Sequence, residues 1–211
     1  MKVNFRTEKA SYFPMIAILL AGVALHGGAL LCPVTGEPVA ADSKMVDVNG
    51  IRFRFCCPSC IEGFKKDPMG LLKKAAEKGW TVGVGVFDPV SGRRLTPETA
   101  RGGTSDFKGV RYGFLNGQNK TDFDSEPKKY GLVPDKWCSI CPVMQLELAH
   151  TYGASGYVDV DGVRYFSCCE QCFPKLRSNP AAFVGNGALR IGEPKPFDVP
   201  SVWGKLSGPG S

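Results

Sequence analysis

The chain has 211 residues, enough for one ordinary domain or for several very small ones. Its charged fraction of 22% and apolar fraction of 43% are typical of a soluble globular protein, and 26 glycines and 16 prolines predict short elements joined by many turns. The net charge is +6, but no basic run is interleaved with aromatic residues, which argues against a nucleic-acid-binding surface.

The first 29 residues have the features of a targeting segment. Three basic residues precede an apolar stretch from Met15 to Leu25, which has the length of a signal peptide and is short for a bilayer span. Small residues then offer a cleavage site after Ala29. We therefore expect export to the periplasm or beyond. An uncleaved N-terminal anchor is the alternative, and it is the only membrane contact that the sequence predicts.

Three stretches of the remaining chain share one pattern and predict three tandem copies of a unit. They open with "CPVTGEPV", "DPVSGRRL" and "CPVMQLEL" and continue with an alternating run that contains a glycine turn. A segment with cysteines, or its counterpart without them, comes next. The copies span residues 30–80, 85–133 and 136–187.

Each copy predicts a strand hairpin followed by a short helix, so the fold class is α+β. Asn49-Gly50 and Asp161-Gly162 are type I′ turn signals between alternating runs. After the last cysteine position, an apolar residue follows at i+4 and a proline four residues later, which is typical of one short helix and the start of another. These positions are Phe64, Phe123 and Leu176, with Pro68, Pro127 and Pro180.

The end of the chain, residues 188–211, is rich in proline and glycine and shows no periodicity. We expect it to be disordered.

The third copy carries a candidate four-thiolate metal site. Cys138 and Cys141 have the C-x2-C spacing of a metal knuckle, and Cys168 and Cys172 straddle the predicted start of a helix. Four thiolates suit a tetrahedral zinc ion. A unit of this size buries too little apolar surface to be stable alone, so a metal, a disulfide or a neighbouring unit is needed.

The first copy has a smaller set of candidate ligands. Cys32, Cys56 and Cys60 correspond to Cys141, Cys168 and Cys172, but Ala29 stands where a fourth ligand would be. Three thiolates suit a soft ion of low coordination number such as Cu(I), unless Cys57 or an outside group supplies a fourth bond. We interpret the adjacent cysteines, Cys57 and Cys169, as secondary ligands or as free thiols held near the sites.

The middle copy has no cysteines. The corresponding residues are Asp88, Leu115, Asn116 and Asn119, and we interpret this copy as a structural spacer.

The motifs "CPVTG", "DPVSG", the strand "G-[IV]-R-[FY]" and "FCCPSC" together resemble the YHS/TRASH metal-binding domains. The resemblance implies three small treble-clef-like modules of a kind found in heavy-metal trafficking, sensing and copper transport. It matches Cys56 and Cys60, and likewise Cys168 and Cys172, to the core cysteines. It also implies that the partners are a copper or zinc ion and a protein that transports or accepts that ion.

Two other readings of the cysteines remain open. In an oxidising compartment the nine cysteines could form structural disulfides, with an odd thiol left over. The C-x2-C pairs Cys57/Cys60 and Cys169/Cys172 have the spacing of thiol oxidoreductases. The first reading would make the chain a stapled structural or interaction protein, and the second a redox protein.

No set of residues predicts an enzyme. His150 is the only histidine outside the leader, so no cysteine or serine has an evident base partner. His150 is instead a candidate fifth ligand or a simple loop residue. Met45, Met69 and Met144 are candidate thioether ligands for Cu(I), although an isolated methionine usually packs in a core.

Overall fold

The structure is a computed structural model that describes residues 28–148, 151 and 153–200. Both helices and strands are present, which confirms the α+β class. The predicted leader lies outside the described residues except for its last two positions, and His150 lies outside them as well. Within the described part of the chain, no helix has the length and apolar composition needed to cross a bilayer.

The first segment, residues 30–80, folds as a hairpin followed by two helices. Strands β1 (Met45–Val48) and β2 (Ile51–Arg54) pair antiparallel across the predicted turn, where Asn49 and Gly50 both have positive φ. Helix α1 (Pro58–Lys66) follows, and Pro68 begins helix α2 (Pro68–Glu77), whose first turn Asp67 caps.

The middle segment, residues 85–133, repeats this order of elements. Strand β3 (Gly83–Gly85) leads in, and β4 (Thr104–Phe107) and β5 (Val110–Gly113) form the hairpin. Helices α3 (Gly117–Ser125) and α4 (Pro127–Tyr130) follow. The hairpin turn again has two residues with positive φ, Lys108 and Gly109.

The third segment, residues 136–187, has the same order. Strand β6 (Lys136–Cys138) leads in, and β7 (Gly156–Val160) and β8 (Val163–Ser167) pair across Asp161-Gly162. Helices α5 (Cys172–Ser178) and α6 (Ala181–Val184) follow, and a 3-10 helix continues from Gly185 to Arg190.

Part of the predicted disordered tail is ordered. Strand β9 (Ile191–Gly192) pairs with β6, and β10 (Phe197–Val199) pairs with β1. Strand β10 covers the outer edge of β1 with three residue pairs, and Val199 is buried. Composition alone did not predict strand β10, because β10 pairs with the edge strand β1, which is about 150 residues distant in sequence.

Two sheets result from this arrangement. The first has six strands in the order β10-β1-β2-β3-β5-β4, and the second has four in the order β7-β8-β6-β9. Strand β3 lies between β2 of the first segment and β5 of its own segment. The first two segments therefore share one sheet and one hydrophobic core.

The apolar residue predicted at i+4 on each helix lies in the core. Phe64, Phe123 and Leu176 are each no more than 1% exposed. Phe64 packs against Phe53 and Phe55, with ring centroids 4.6 and 5.1 Å away. These contacts fix each helix over its own hairpin.

An Asp–Arg ion pair crosses each of the three hairpins at the same position. The pairs are Asp47–Arg52, Asp106–Arg111 and Asp159–Arg164, and each guanidinium donates Nε–H to the carboxylate at 2.8 Å. Two of the arginines also bond a carbonyl oxygen earlier in the chain, outside their own segment. Arg111 donates to Gly28 O and Arg164 to Asn49 O. The "G-[IV]-R-[FY]" motif thus supplies contacts between segments.

The three pairs differ in burial, which leads to a prediction. Replacing Arg52 by Met leaves the Asp47 carboxylate, whose side chain is 0% exposed, without this partner. We expect the free energy of unfolding to fall by about 3 to 5 kcal/mol. Arg111→Met is the matched control, because its pair is partly exposed, and we expect it to cost about 1 kcal/mol or less. Urea unfolding followed by tryptophan fluorescence measures both, and equal losses would contradict the explanation.

Candidate metal centres

A tight turn precedes each hairpin and begins at a candidate ligand position. In the first segment, Cys32 N–H donates to Glu37 O and Gly36 N–H to Cys32 O, at 2.8 and 2.9 Å. The turns that begin at Asp88 and Cys141 have the same two hydrogen bonds, at 2.7 to 2.8 Å. The fifth residue of each turn, Gly36, Gly92 or Gln145, has positive φ. The three turns therefore have one backbone geometry.

The first thiol group consists of Cys32, Cys56 and Cys60. Their sulfur atoms all lie within 4.8 Å of one another. Cys32 begins the turn, Cys56 follows strand β2, and Cys60 lies in the first turn of α1. Cys32 and Cys60 are buried, whereas Cys56 is exposed and its Sγ lies 3.3 Å from Thr35 Oγ1.

The second thiol group consists of Cys141, Cys168 and Cys172, again within 4.8 Å of one another. Cys141 begins the turn, Cys168 follows strand β8, and Cys172 is the first residue of α5. Cys141 and Cys172 are buried and Cys168 is half-buried. The correspondence with the first group, predicted from spacing, is thus reproduced in space.

The sulfur separations fit one shared ion. A zinc–sulfur bond of about 2.3 Å places two tetrahedral ligands about 3.8 Å apart and two trigonal ligands about 4.0 Å apart. Cys56 Sγ and Cys60 Sγ are 3.7 Å apart, and Cys168 Sγ and Cys172 Sγ are 3.8 Å apart. The third sulfur of each group, on Cys32 or Cys141, lies within 4.8 Å of these two, so each group has three sulfurs close enough to bind one thiophilic ion.

The first group has an environment that favours a thiolate at Cys32. Burial raises the pKa of this thiol, but backbone N–H groups of Cys56, Thr35 and Val34 outweigh it and lower the pKa to about 7. The pKa of Cys60 is raised well above its usual range, by hydrogen bonding to Cys57 and by burial. Cys32 is thus prone to lose its proton, whereas Cys60 keeps its proton until a bound metal ion displaces it.

The second group holds its protons more tightly. Burial, together with the neighbouring Cys141, raises the pKa of Cys168 to about 11. Burial also raises the pKa of Cys172, with further contributions from Cys169 and Cys168. An ion that binds here must displace protons from these thiols.

The adjacent cysteines lie beside the groups and outside them. Cys57 Sγ is 3.2 Å from Ser59 Oγ, and Cys169 Sγ is 3.0 Å from Cys172 Sγ. Hydrogen bonds to Cys60 and Ser59 lower the pKa of Cys57 to about 7, and a hydrogen bond to Cys172 lowers that of Cys169. Both are half-buried, so they remain candidate secondary ligands.

Cys138 is not brought together with its predicted partners. It ends strand β6, is 0% exposed, and its Sγ donates to Gly187 O at 3.6 Å. Burial raises the pKa of this thiol. The reason for its position is that the turn begins at Cys141, after β6 has ended, and not at Cys138. The geometry therefore favours a core position for Cys138 over the predicted ligand position.

In the middle segment, Asp88 occupies the position of the first thiol. The carboxylate is fully buried and accepts four hydrogen bonds. Val90 and Ser91 N–H donate to Oδ1, and Leu115 N–H and the Asn119 side-chain amide donate to Oδ2. Leu115 and Asn119 occupy the positions of Cys56 and Cys60. One carboxylate therefore joins the turn and the helix start where the other segments have three thiols.

The structure also shows the state of the cysteines and the burial of the aromatic and methionine residues. All nine cysteines are free thiols in the structure. The aromatic residues Phe53, Phe55, Tyr165 and Phe166 are buried core residues. Met45 is buried and Met69 packs against the first core, whereas Met144 is 56% exposed.

Sequence reasoning missed the contacts of Thr35 and the hydrogen bonds of Asp88. A signal for both was present in the shared spacing of the openings. In "CPVTG", "DPVSG" and "CPVMQ" the first and fourth positions correspond. This spacing predicts that Thr35, Ser91 and Met144 lie next to the site, since a turn of this length folds its fourth residue back toward its first.

The grouped thiols between a turn and a helix start suggest a metal-binding site. Residues 29–73 match a family model described as a C-terminal TRASH domain, and TRASH domains are a metal-binding family. The matched residues include Cys32, Cys56 and Cys60, so the resemblance seen in the sequence is confirmed for this segment. No curated protein and no solved structure matches the chain. Assignment of the other two segments to the family stays a prediction.

The hydrogen bonds of Asp88 predict how the middle segment responds to substitution. Asp88→Asn replaces one acceptor oxygen by an NH2 group that faces two donors. We expect this to cost about 2 to 3 kcal/mol of unfolding free energy, as for other buried bonds to a charged group. Urea unfolding measures this cost. Asp122→Asn on the outer face of α3 is the control and should cost little. An unchanged unfolding free energy in Asp88→Asn would contradict the interpretation.

Proposed function

We propose that this chain binds a soft or borderline metal ion, Cu(I) or Zn(II), at its two thiol groups, and that it serves to deliver or buffer that ion. The observation that carries the proposal is the convergence of three sulfurs, twice, at the spacing of shared ligands on one scaffold. The family match supports metal binding independently for the first group.

The two sites are suited to different exchange rates. Cys56 is exposed, so an acceptor thiol can reach an ion in the first group and replace its ligands one at a time. Cys168 is half-buried in the second group, and the other two cysteines there are buried. We propose that the first site exchanges its ion with a metal-accepting protein and that the second retains its ion for longer.

The proposed location follows from the N-terminal segment. A basic start followed by an apolar stretch supports export to the periplasm or secretion, with retention by the same segment as the alternative. The proposal includes no enzymatic step.

Metal content tests the proposal directly. The full chain, purified under conditions that keep thiols reduced, should carry about two ions per chain by elemental analysis, one for each thiol group. Cys60→Ser and Cys172→Ser should each remove about one ion. Cys138→Ala is the matched control and should retain both, because its sulfur lies outside the groups. Full metal content in Cys60→Ser or Cys172→Ser, or no bound ion in the parent, would contradict the proposal.

A thiol count on the same sample tests the two alternatives. Structural disulfides predict few free thiols in the denatured, unreduced protein, whereas metal binding predicts all nine. The 3.0 Å contact between Cys169 and Cys172 is the observation that favours a redox role. Such a role predicts that the metal-free protein accelerates disulfide exchange and that Cys169→Ser does not.

The pKa values predict how metal binding depends on pH. Cys168, with a pKa of about 11, and Cys172 are protonated at neutral pH, so an ion that binds the second group releases their protons. The apparent affinity should therefore rise as the pH rises from 6 to 8 and fall as it drops. Calorimetry in buffers of different ionisation enthalpy measures the number of protons released, and an affinity that does not change with pH would be inconsistent with this prediction.

A further inference from the structure

The turn that begins at Cys141 places Met144 where a metal knuckle would place a second ligand. Paired cysteines of metal knuckles are separated by two residues, because a tight turn directs its first and fourth side chains toward one ion. Cys141 and Met144 have that spacing, and the turn between them has the same hydrogen bonds as the other two turns.

In the first segment the side chain at this fourth position reaches the site, whereas in the middle segment only the backbone N–H at this position contacts it. In the first segment, Thr35 Oγ1 lies 3.3 Å from Cys56 Sγ. In the middle segment, Ser91 N–H donates to Asp88 Oδ1 at 3.1 Å. The residue that corresponds to Cys56 in the third segment is Cys168, so a side chain from position 144 starts beside the second thiol group.

Met144 has no packing role that would explain a large apolar side chain at this position. It is 56% exposed, and it belongs to none of the described core clusters. Its neighbour Val143, by contrast, packs against the core of the third segment. An exposed, flexible thioether thus lies three residues after Cys141, on the same turn.

We propose that the Met144 thioether is the fourth ligand of the Cys141, Cys168 and Cys172 site and makes that site selective for Cu(I) over Zn(II). A thioether is a soft ligand that suits Cu(I), whereas zinc sites use thiolate, imidazole and carboxylate ligands. The first site has the Thr35 hydroxyl at this position and lacks the thioether. The inference depends on the proposed function and adds a difference in metal preference between the two sites.

Affinity measurements on the second site alone test the inference. Cys60→Ser in the full chain removes the first site, and Met144→Leu is then added, which preserves size and apolar character. We expect Cu(I) affinity, measured by competition with a chromophoric Cu(I) chelator, to fall by about tenfold, comparable with the loss of an outer-shell partner. Zn(II) affinity should stay within about twofold. Leu146→Ala, at a residue of similar exposure two positions on, is the control and should change neither affinity.

A direct spectroscopic readout complements the affinities. In the Cys60→Ser chain produced with selenomethionine, the Cu(I) X-ray absorption spectrum should contain a copper–selenium distance, and Met144→Leu should abolish it. Unchanged Cu(I) affinity and no copper–selenium distance would overturn the inference while leaving thiolate binding intact. Failure of the Cys60→Ser chain to bind either ion, with Met144 present, would instead overturn the proposed function.

Discussion

Each segment of this protein depends on one closure, the contact between the turn before the hairpin and the start of the helix after it. In the middle segment a buried Asp88 carboxylate provides the closure by accepting hydrogen bonds from both sides. In the outer segments three thiols meet at the same place. A carboxylate there is satisfied by protein donors alone, whereas three thiols form a set of donors for an ion. The same backbone thus holds either a carboxylate that protein donors satisfy or three thiols that could bind an ion.

The hairpins and their ion pairs determine where these closures lie. Phe64, Phe123 and Leu176 fix the helices over the hairpins, and Arg111 and Arg164 bond the carbonyl oxygens of Gly28 and Asn49 outside their own segments. The cysteines at the starts of α1 and α5 therefore lie on a surface that packing holds in place. A scaffold of this kind can hold sulfurs close together before an ion arrives, which reduces the ordering that binding requires.

Local patterns in the sequence predicted much of this architecture. Short-range spacing predicted the positive φ of the Asn49-Gly50 and Asp161-Gly162 turns and the helices that begin at Pro68 and Pro127. It also predicted the correspondence of Cys32, Cys56 and Cys60 with Cys141, Cys168 and Cys172. The position of Cys138 could not be predicted in this way, because a C-x2-C spacing does not reveal which of its two cysteines begins the turn. Local patterns also did not predict that residues 188–200 are ordered, because β10 is stabilised by pairing with the distant edge of β1.

The sequence by itself determined the repeated unit, its hairpin and helix, and the thiol chemistry available to it, because turn residues and periodicity act over a few positions. Only the tertiary structure decided which thiols meet, that Cys138 faces Gly187, and that Asp88 replaces an entire set of cysteines. Those outcomes depend on how a turn, a strand end and a helix start approach one another across more than twenty residues. That approach is set by core packing and buried hydrogen bonds, which no local pattern encodes.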